Sequence, residues 1–490
     1  MEKLVEWLVG QVWSIGLVIF ALGAGLFFSF ATRFVQIRYF KEMIKLLFEG
    51  KSSETGISSF QAFCIALSGR VGIGNIAGVA TAIAFGGPGA VFWMWVMALL
   101  GGASAFIEST LAQVYKSKVN NEFRGGTPYF IEKGLKIKWF AVLVAIVVTL
   151  SYGILLPGIQ SSSIAVGFEN TSGLNTSITG ILLVVLLAAI IFGGVKRIAT
   201  VTQMVVPFMA IGYVIVTFLV LFANITEVPD MFALIFSSAF GTNQVFGGIV
   251  GAAIAWGVKR AVFSNVAGVG EGTYSSAAAD VSHPAKQGLV QAFSVYIDTI
   301  VVCTATALMI LVTGMYSVTP EGKEPIVETM GDIEAGPIYT QEAVETFFPG
   351  FGSLFVSLAI FFFAFTTLLA YYYIAETTLV YLDKKLKMQW MKIVLKFAFL
   401  AMVFIGSVES ASFLWALGDL GIGSMAWLNL TAILLLTKPT LKVLKDYERQ
   451  KKAGLDPVFN PIKLGIRGAD FWEENIKEME KDSAKKKPAG

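Results

Sequence analysis

Apolar residues run along this chain in stretches of about 20, separated by short loops in which the charged residues collect. A helix of that length crosses ~30 Å of hydrocarbon. The pattern predicts eleven spans: a first at 12–32, then ten core helices at 58–85, 88–114, 138–168, 177–195, 201–223, 244–279, 287–315, 350–381, 391–408 and 413–437. The first run is too long for a signal-peptide core, and its positive charge (Arg33, Arg38, Lys41, Lys45) follows rather than precedes it, so it reads as a retained span. Within the acidic loop 317–350, "TQEAVETFF" reads either as a short amphipathic helix lying over the exterior as a lid or as a solvated loop. After Lys438 the tail is charged and soluble or surface-lying, with a turn at "KKAGLDP".

Composition agrees with the pattern: 55% of the 490 residues are hydrophobic and 14% charged, the balance of an all-α polytopic membrane protein. Loops 33–51, 116–138, 196–197, 383–392 and the tail are rich in Lys and Arg, and the alternating set 169–176, 224–243, 316–349 and 409–412 is poor in them. Positive loops stay in the cytoplasm, so the C-terminus is expected inside, the N-terminus outside and the protein in the cell membrane. A net charge of +3, carried by loops, gives no reason to expect nucleic acid as a partner. Cys64 and Cys303 lie in separate apolar runs and read as packing residues, and a single His283 excludes a histidine-rich zinc site or a histidine proton wire.

A shift of 190 residues lays "GRVGIGNIAGVA" (69–80) on "KRAVFSNVAGVG" (259–270), matching Arg70 to Arg260 and Asn75 to Asn265. The same shift lays Glu108 of "FIEST" on Asp298 of "YIDTI". Five spans separate the copies, so they cross the bilayer in opposite senses, as in the inverted repeats of secondary transporters. Glycines and an asparagine inside an apolar run predict that core helices 1 and 6 unwind at mid-membrane, which is tolerated only where protein or a polar cavity satisfies the freed backbone. Freed carbonyls suit a cation, and the N–H groups opening the next half-helix suit a carboxylate. Helix packing alone would explain Gly101-Gly102, but not Arg70 and Asn75 in duplicate.

Intramembrane charges are paired or functional by default. Arg70 and Glu108 are 38 residues apart, as are Arg260 and Asp298, so two symmetry-related ion pairs bracing the broken helices are expected, with unwinding or a water closing a difference in level. Direct capture of a substrate carboxylate is the rival role for Arg70. Glu271 and Glu376 lie toward the cytoplasmic ends, where an inner gate or simple solvation would account for them. In "FFFAFTTLLAYYY" (361–373) Thr366 and Thr367 are either cation ligands or hydroxyls bonded to their own i−4 carbonyls.

"GRVGIGNIAGVATAIAFGGPGAVFWMW" and "KRAVFSNVAGVGEGTYSSAAAD" resemble the sodium:alanine/glycine symporter family (AGCS), over essentially all of 1–440. The resemblance implies the LeuT-type fold of the wider superfamily, a 5+5 inverted repeat preceded by one extra N-terminal helix. The domains would then be 1–57 (extra helix and basic loop), 58–243 and 244–437 (the two repeats) and 438–490 (tail). It implies a carrier, not an enzyme, that takes small amino acids, chiefly alanine and glycine, with sodium and without a cofactor. By position, the substrate would meet Gly72, Gly74, Asn75 and Gly78 of the first break and Phe263, Ser264, Asn265 and Gly268 of the second. Sodium would sit among the Ser68 and Val71 carbonyls and the Thr366 and Thr367 hydroxyls, with Thr304 and Thr306 as candidates for a second ion. Arg70 departs from the wider fold, which often has a small residue there. Three rivals remain: proton coupling through Glu108 or Asp298, a channel, and an intramembrane enzyme. The repeat argues against a channel, and the lack of a nucleophile–base pair or metal cluster against an enzyme.

Overall fold

A computed structural model of the chain describes residues 2–49, 55–119, 121–386 and 390–476. Parts of the basic loops 33–51 and 383–392, and the tail beyond 476, lie outside the described residues.

The chain opens with α1 (Glu2–Val12), a helix the sequence reading left out, and α2 (Ile15–Ala31), which occupies the span expected at 12–32; the two are bent by 40°. The bend is pinned from both sides: Trp13 Nε1 donates to the Asp419 carbonyl (2.8 Å), and Trp427 Nε1 to the Val12 carbonyl (3.0 Å). Short α3 (Val35–Arg38) and α4 (Phe40–Leu47) follow, α4 burying Met43, Leu46 and Leu47. A reciprocal cap between Ser58 and Gln61 starts α5 (Ser59–Arg70), as expected where Ser precedes Gln by three residues. The helix breaks at 71–76 and resumes as α6 (Ala77–Gly86). Next come α7 (Gly89–Val114), a hairpin of β1 (Ser117–Val119) and β2 (Glu122–Arg124) in the register Ser117↔Arg124, and α8 (Thr127–Phe130).

Helices α9 (Lys138–Leu150) and α10 (Pro157–Ser172) form one span through a wide π turn at Ser151–Leu155. That turn leaves Pro157 in a first-turn position, where its missing N–H costs nothing. The sequence continues with α11 (Thr176–Ile191), α12 (Val195–Ala223) and α13 (Val228–Ala239), the last an apolar helix inside a segment read from sequence as a loop. The second broken pair is α14 (Val250–Asn265) and α15 (Gly272–Ala278). Helix α16 (Pro284–Val295) runs through a π segment, Tyr296–Cys303, into α17 (Thr304–Thr313). A two-stranded β3 (Ser317–Val318) and β4 (Val327–Glu328) precedes α18 (Pro337–Glu345), which occupies the expected amphipathic stretch. The rest is α19 (Gly352–Leu386), α20 (Met391–Val408), α21 (Ala411–Leu435), α22 (Thr437–Lys452) and α23 (Pro461–Leu464).

Among the described residues, seven helices are long and apolar enough to cross a membrane, or eight if the bent pair α1–α2 counts as one. They pack side by side as a multi-pass, all-α membrane bundle around a buried centre formed by α5–α6, α14–α15, α7, α16 and α19. Cys64 and Cys303 are buried free thiols.

Candidate functional site

The two interrupted helices meet at the centre of the bundle. A β-carbon added to Gly74 would come within 3.0 Å of the Ser264 Cα, so only a glycine lets the backbones approach this closely. Asn75 holds the first break in shape: its Oδ1 accepts from the Gly72 N–H (2.9 Å) and its Nδ2 donates to Asp298 Oδ1 (2.7 Å). Gln160 Oε1 accepts from the Ile73 N–H (3.2 Å). The freed donors of the break are therefore met by these side chains and by nearby carbonyls, as burial requires: the Gly72 N–H also reaches the Arg70 carbonyl (2.9 Å) and the Asn75 N–H the Gly72 carbonyl (3.2 Å).

The second break does not copy the first in register. α14 stays helical through Phe263, Ser264 and Asn265, five residues past Arg260, whereas α5 stops at Arg70. Unwinding falls instead at 266–271, with Val266 at φ +46° and Gly268 at φ +83°. A β-branched residue at positive φ is a strained backbone held by its surroundings. Ser264 Oγ donates to Asp298 (3.0 Å), Thr299 Oγ1 donates to Asp298 Oδ2 (2.7 Å), and Asn265 Nδ2 donates to Thr299 Oγ1 (3.1 Å). Cys303 Sγ lies 3.3 Å from both Asn75 Nδ2 and Ser264 Oγ. Asp298 thus joins the two breaks through three side-chain donors.

Neither expected ion pair forms. Arg260 pairs with Asp419 of α21 (3.1 Å), which Lys259 also reaches (2.7 Å), and the Arg260 guanidinium lies 4.2 Å from the Trp415 ring centre. Because α14 remains helical there, Arg260 faces α21 while Asp298 is taken up by Ser264, more than a turn further along. Arg70 donates from Nε to the Asn265 carbonyl (2.7 Å), from Nη1 to the Gln291 carbonyl (3.2 Å), and also bonds Ser294 Oγ. A cation is favoured at the open carbonyls of a helix C-terminus, so Arg70 caps α14 instead of pairing with Glu108. Glu108 accepts from Asn429 Nδ2 (2.7 Å), whose orientation is fixed by Thr127 Oγ1 on Asn429 Oδ1 (2.9 Å). Asn429 Nδ2 also donates to the Gly268 carbonyl (2.9 Å).

The four residues expected at the ion are brought together in part. Thr367 Oγ1 is 2.8 Å from the Ser68 carbonyl, 3.4 Å from the Val71 carbonyl and 2.9 Å from the Phe363 carbonyl. A hydroxyl has one proton and cannot satisfy three carbonyls, so this spot is rich in hard oxygen and short of donors. A β-carbon on Gly72 would lie 2.5 Å from the same Oγ1, so a side chain there would fill the spot. Thr366 turns away, donating to the Phe362 carbonyl (2.9 Å), which is the i−4 bond weighed against it in the sequence. Thr304 and Thr306 face different neighbours, Trp95 Nε1 and Tyr213 Oη (both 2.7 Å).

A cavity of about 900 Å³ opens beside this centre, bordered by the 317–339 loop, α18 and Trp13, with Arg260, Trp415 and Asp419 among its deeper residues. The Phe263 and Trp415 rings pack at a tilt (centres 5.0 Å apart, planes at 49°), and a β-carbon added to Gly78 would meet Trp415 at 3.8 Å, while Phe263, Ser264, Asn265 and Asn75 are buried, so the breaks lie behind that wall. On the opposite side Arg124 of β2 joins Glu122 (2.8 Å) and Glu376 (3.8 Å), and Ile57 forms a bridge with Ala279 at the end of α15.

Sequence reasoning missed Gln160, Asp419 and Asn429. Each carried a signal, an isolated polar residue inside an apolar run. Phe363 supplies the i−4 carbonyl of Thr367, so this hydroxyl too makes the bond to its own helix that was weighed against it, in addition to its contacts with α5.

The sequence profile described as the sodium:alanine symporter family matches residues 1–461. YrbD of Bacillus subtilis (strain 168), named as a sodium/proton-dependent alanine carrier, is similar at 58% identity over 97% of this chain and 98% of its own length. A sodium/proton-dependent alanine carrier protein of Bacillus sp. (strain PS3) shares 53% over 90% of this chain and all of its own. The sodium/alanine symporter AgcS of Methanococcus maripaludis shares 36% over 90% and 96%.

Proposed function

This chain belongs to the sodium:alanine symporter family, a family of membrane carriers and not of enzymes, and on that premise we propose that it imports alanine, and glycine with it, coupled to sodium. The observation that carries sodium is the Thr367 hydroxyl facing the Ser68, Val71 and Phe363 carbonyls. Neutral carbonyl oxygens replace the hydration shell of an alkali cation without a titrating proton. An ion there ties α5 to α19, so its binding is linked to the geometry of the first break. The amino acid would lie between the breaks, its carboxylate at N–H groups near Gly74, Asn75 and Gly78, with Phe263 limiting side-chain size. Opening alternates between the side of the Trp415–Phe263 wall and the side of the Ile57–Ala279 bridge.

The architecture we propose is the LeuT-type 5+5 inverted repeat, 58–243 against 244–437, with one extra helix before it and the tail after it. Taking the bent pair, each broken pair and Thr176–Ile191 as one span apiece beside the seven long helices gives eleven. The basic loops then face the cytoplasm of a cell-membrane protein and the N-terminus faces outside.

The test is labelled alanine uptake into proteoliposomes under an inward sodium gradient, repeated with an equal proton gradient, for the native chain and Thr367→Val. Saturable, sodium-driven uptake that Thr367→Val abolishes supports the reading. Uptake driven by protons alone, or sodium-driven uptake indifferent to Thr367→Val, rejects the ion or its seat. Proton coupling is the second reading, favoured by one observation: three buried carboxyls, Glu108, Glu271 and Asp298, surround the single guanidinium of Arg70.

A further inference from the structure

Glu271 stands at the end of the second break, immediately before α15, and is 2% exposed. Tyr152, on the π turn of the 138–172 span, donates to its Oε2 (2.9 Å). Its Oε1 is buried and has no hydrogen-bond partner. That oxygen lies against Gly69, where an added β-carbon would come within 1.8 Å of it, so α5 admits the carboxyl only because residue 69 has no side chain. Gly69 follows Ser68 directly, and Ser68 supplies one of the carbonyls facing Thr367.

The charges nearby do not balance. Glu108, Glu271 and Asp298 share one guanidinium, that of Arg70, and among the described residues no ion pair joins Arg70 to any of them. Asp298 is satisfied by Asn75, Ser264 and Thr299; Glu108 is met by Asn429 on Oε2 and also keeps a bare Oε1, but it is Glu271 whose bare oxygen lies against Gly69, beside the Ser68 carbonyl. Glu271 has one donor and one bare oxygen; the phenols of Tyr152 and Tyr371 surround it, and the one cation near it, Arg70, is shared with Glu108 and Asp298 and spends its Nε and Nη1 on α14 and α16. Three buried carboxyls with one guanidinium between them leave negative charge uncompensated, which burial strongly disfavours, so the surroundings call for a second cation. The neutral oxygens at Ser68, Val71, Phe363 and Thr367 lack a formal negative charge of their own.

We propose that Glu271 is the counter-charge of the transported sodium ion, acting through the Ser68–Gly69 backbone without being one of its ligands. The proposal rests on the sodium seat described above. It gives the second broken helix a direct stake in the ion held by the first: sodium binding stabilises Glu271 against α5, and departure of the ion leaves an unbalanced charge that favours their separation. Glu271 is a positioning residue here, and its effect belongs to sodium affinity, not to the amino acid pocket.

The experiment is sodium binding to the purified carrier in lipid nanodiscs, measured by equilibrium binding of labelled sodium, in the native chain, Glu271→Gln, Glu271→Asp and Thr367→Val. Glu271→Gln keeps an acceptor for Tyr152 and removes only the charge, so sodium half-saturation should rise about tenfold or more, while Glu271→Asp falls between native and Gln. Alanine affinity at saturating sodium should stay near native in both. Unchanged half-saturation in Glu271→Gln, with Thr367→Val weakened, overturns the role of Glu271 and leaves the seat standing. Unchanged half-saturation in Thr367→Val overturns the seat and this inference with it. If Glu271→Gln does not fold, Glu271→Asp decides, and native half-saturation in that variant rejects the proposal.

Discussion

Thr366 and Thr367 are adjacent on α19, yet a helix turns about 100° per residue, so only one can face α5 at a time. Thr367 does, and Thr366 bonds the Phe362 carbonyl of its own helix. Thr366→Val should therefore leave the sodium dependence of alanine uptake near native, whereas a shift as large as that of Thr367→Val would show that both hydroxyls reach the ion. Asn75 carries more. Its Oδ1 shares the Gly72 N–H with the Arg70 carbonyl, and its Nδ2 contributes two donor contacts, to Asp298 Oδ1 and to the Asp298 carbonyl. Asn75→Ala leaves buried polar groups unmatched, each worth about 1–3 kcal/mol, and should lower the thermal midpoint in detergent measurably. A midpoint within error of native would mean that the break is held by backbone alone. At this scale residue type was legible and partner was not. Asn75, Asp298, Arg70 and Arg260 stood out as polar groups in apolar runs. Their pairings depended on where each helix stopped, and equal spacing in the chain made Arg260–Asp298 look symmetrical when Asp419, 159 residues from Arg260, was the real partner.

Both helix breaks were legible from glycines and asparagines inside apolar runs, because such residues are costly in a membrane helix unless the backbone must open. Their register was not. The repeat aligns Arg70 with Arg260, but α14 holds helical geometry five residues longer, and the turn that ends it uses Val266, Gly268 and Gly270 at positive φ. The sequence cue for that turn lies in "VAGVGEG", where alternate glycines permit left-handed geometry. The α1–α2 bend and the apolar α13 were missed because each depends on packing against α21 or α7 that no local pattern reports. Close approach of the two breaks yields a paired prediction. A methyl group on Gly74 would meet the Ser264 Cα at 3.0 Å, while one on Gly78 finds its nearest atom, in Trp415, at 3.8 Å. Gly74→Ala should force α5–α6 and α14 apart and cut alanine uptake at least tenfold, by about 1–3 kcal/mol of overpacking, with Gly78→Ala tolerated. Equal uptake in the two variants would remove the argument that the breaks touch during transport.

Across the whole molecule, the segment after α21 folds back over the end of the bundle that carries the basic loops, as a charged tail lying on a surface would. Lys286 reaches Asp456 (2.6 Å), the Phe459 N–H donates to the Ser282 carbonyl (2.9 Å), and Trp472 Nε1 donates to the Gln113 carbonyl (2.9 Å). Lys116 lies beneath Phe123, Phe471 and Trp472 and donates to the Ala279 carbonyl (3.0 Å), so the tail closes over the end of α15 itself. Two carboxyls outside the spans make this docking depend on pH. Burial would raise Glu42, but hydrogen bonds from Lys451 (2.6 Å) and Tyr447 (2.9 Å) outweigh it and hold it below its ordinary 4.5. Asp446 is held below its ordinary 3.8, first by His283 (3.5 Å) and then, against burial, by Gln450 and Arg449. A carboxyl depressed in the docked state binds more protons once released. Its contribution is therefore complete above the ordinary value and is lost as pH falls through the depressed one. His283, which burial holds below its ordinary 6.5 despite Asp446, also takes up a proton on release. Amide exchange in α22 (437–452) should therefore begin to quicken as pH falls below 6.5, and do so more steeply below the ordinary carboxyl values of 4.5 and 3.8, beyond the intrinsic acid dependence of exchange. Glu42→Gln should bring the onset of that release to a higher pH, and an onset unmoved by it would show that contacts at Trp472 and Lys116, not the carboxyls, hold the tail in place.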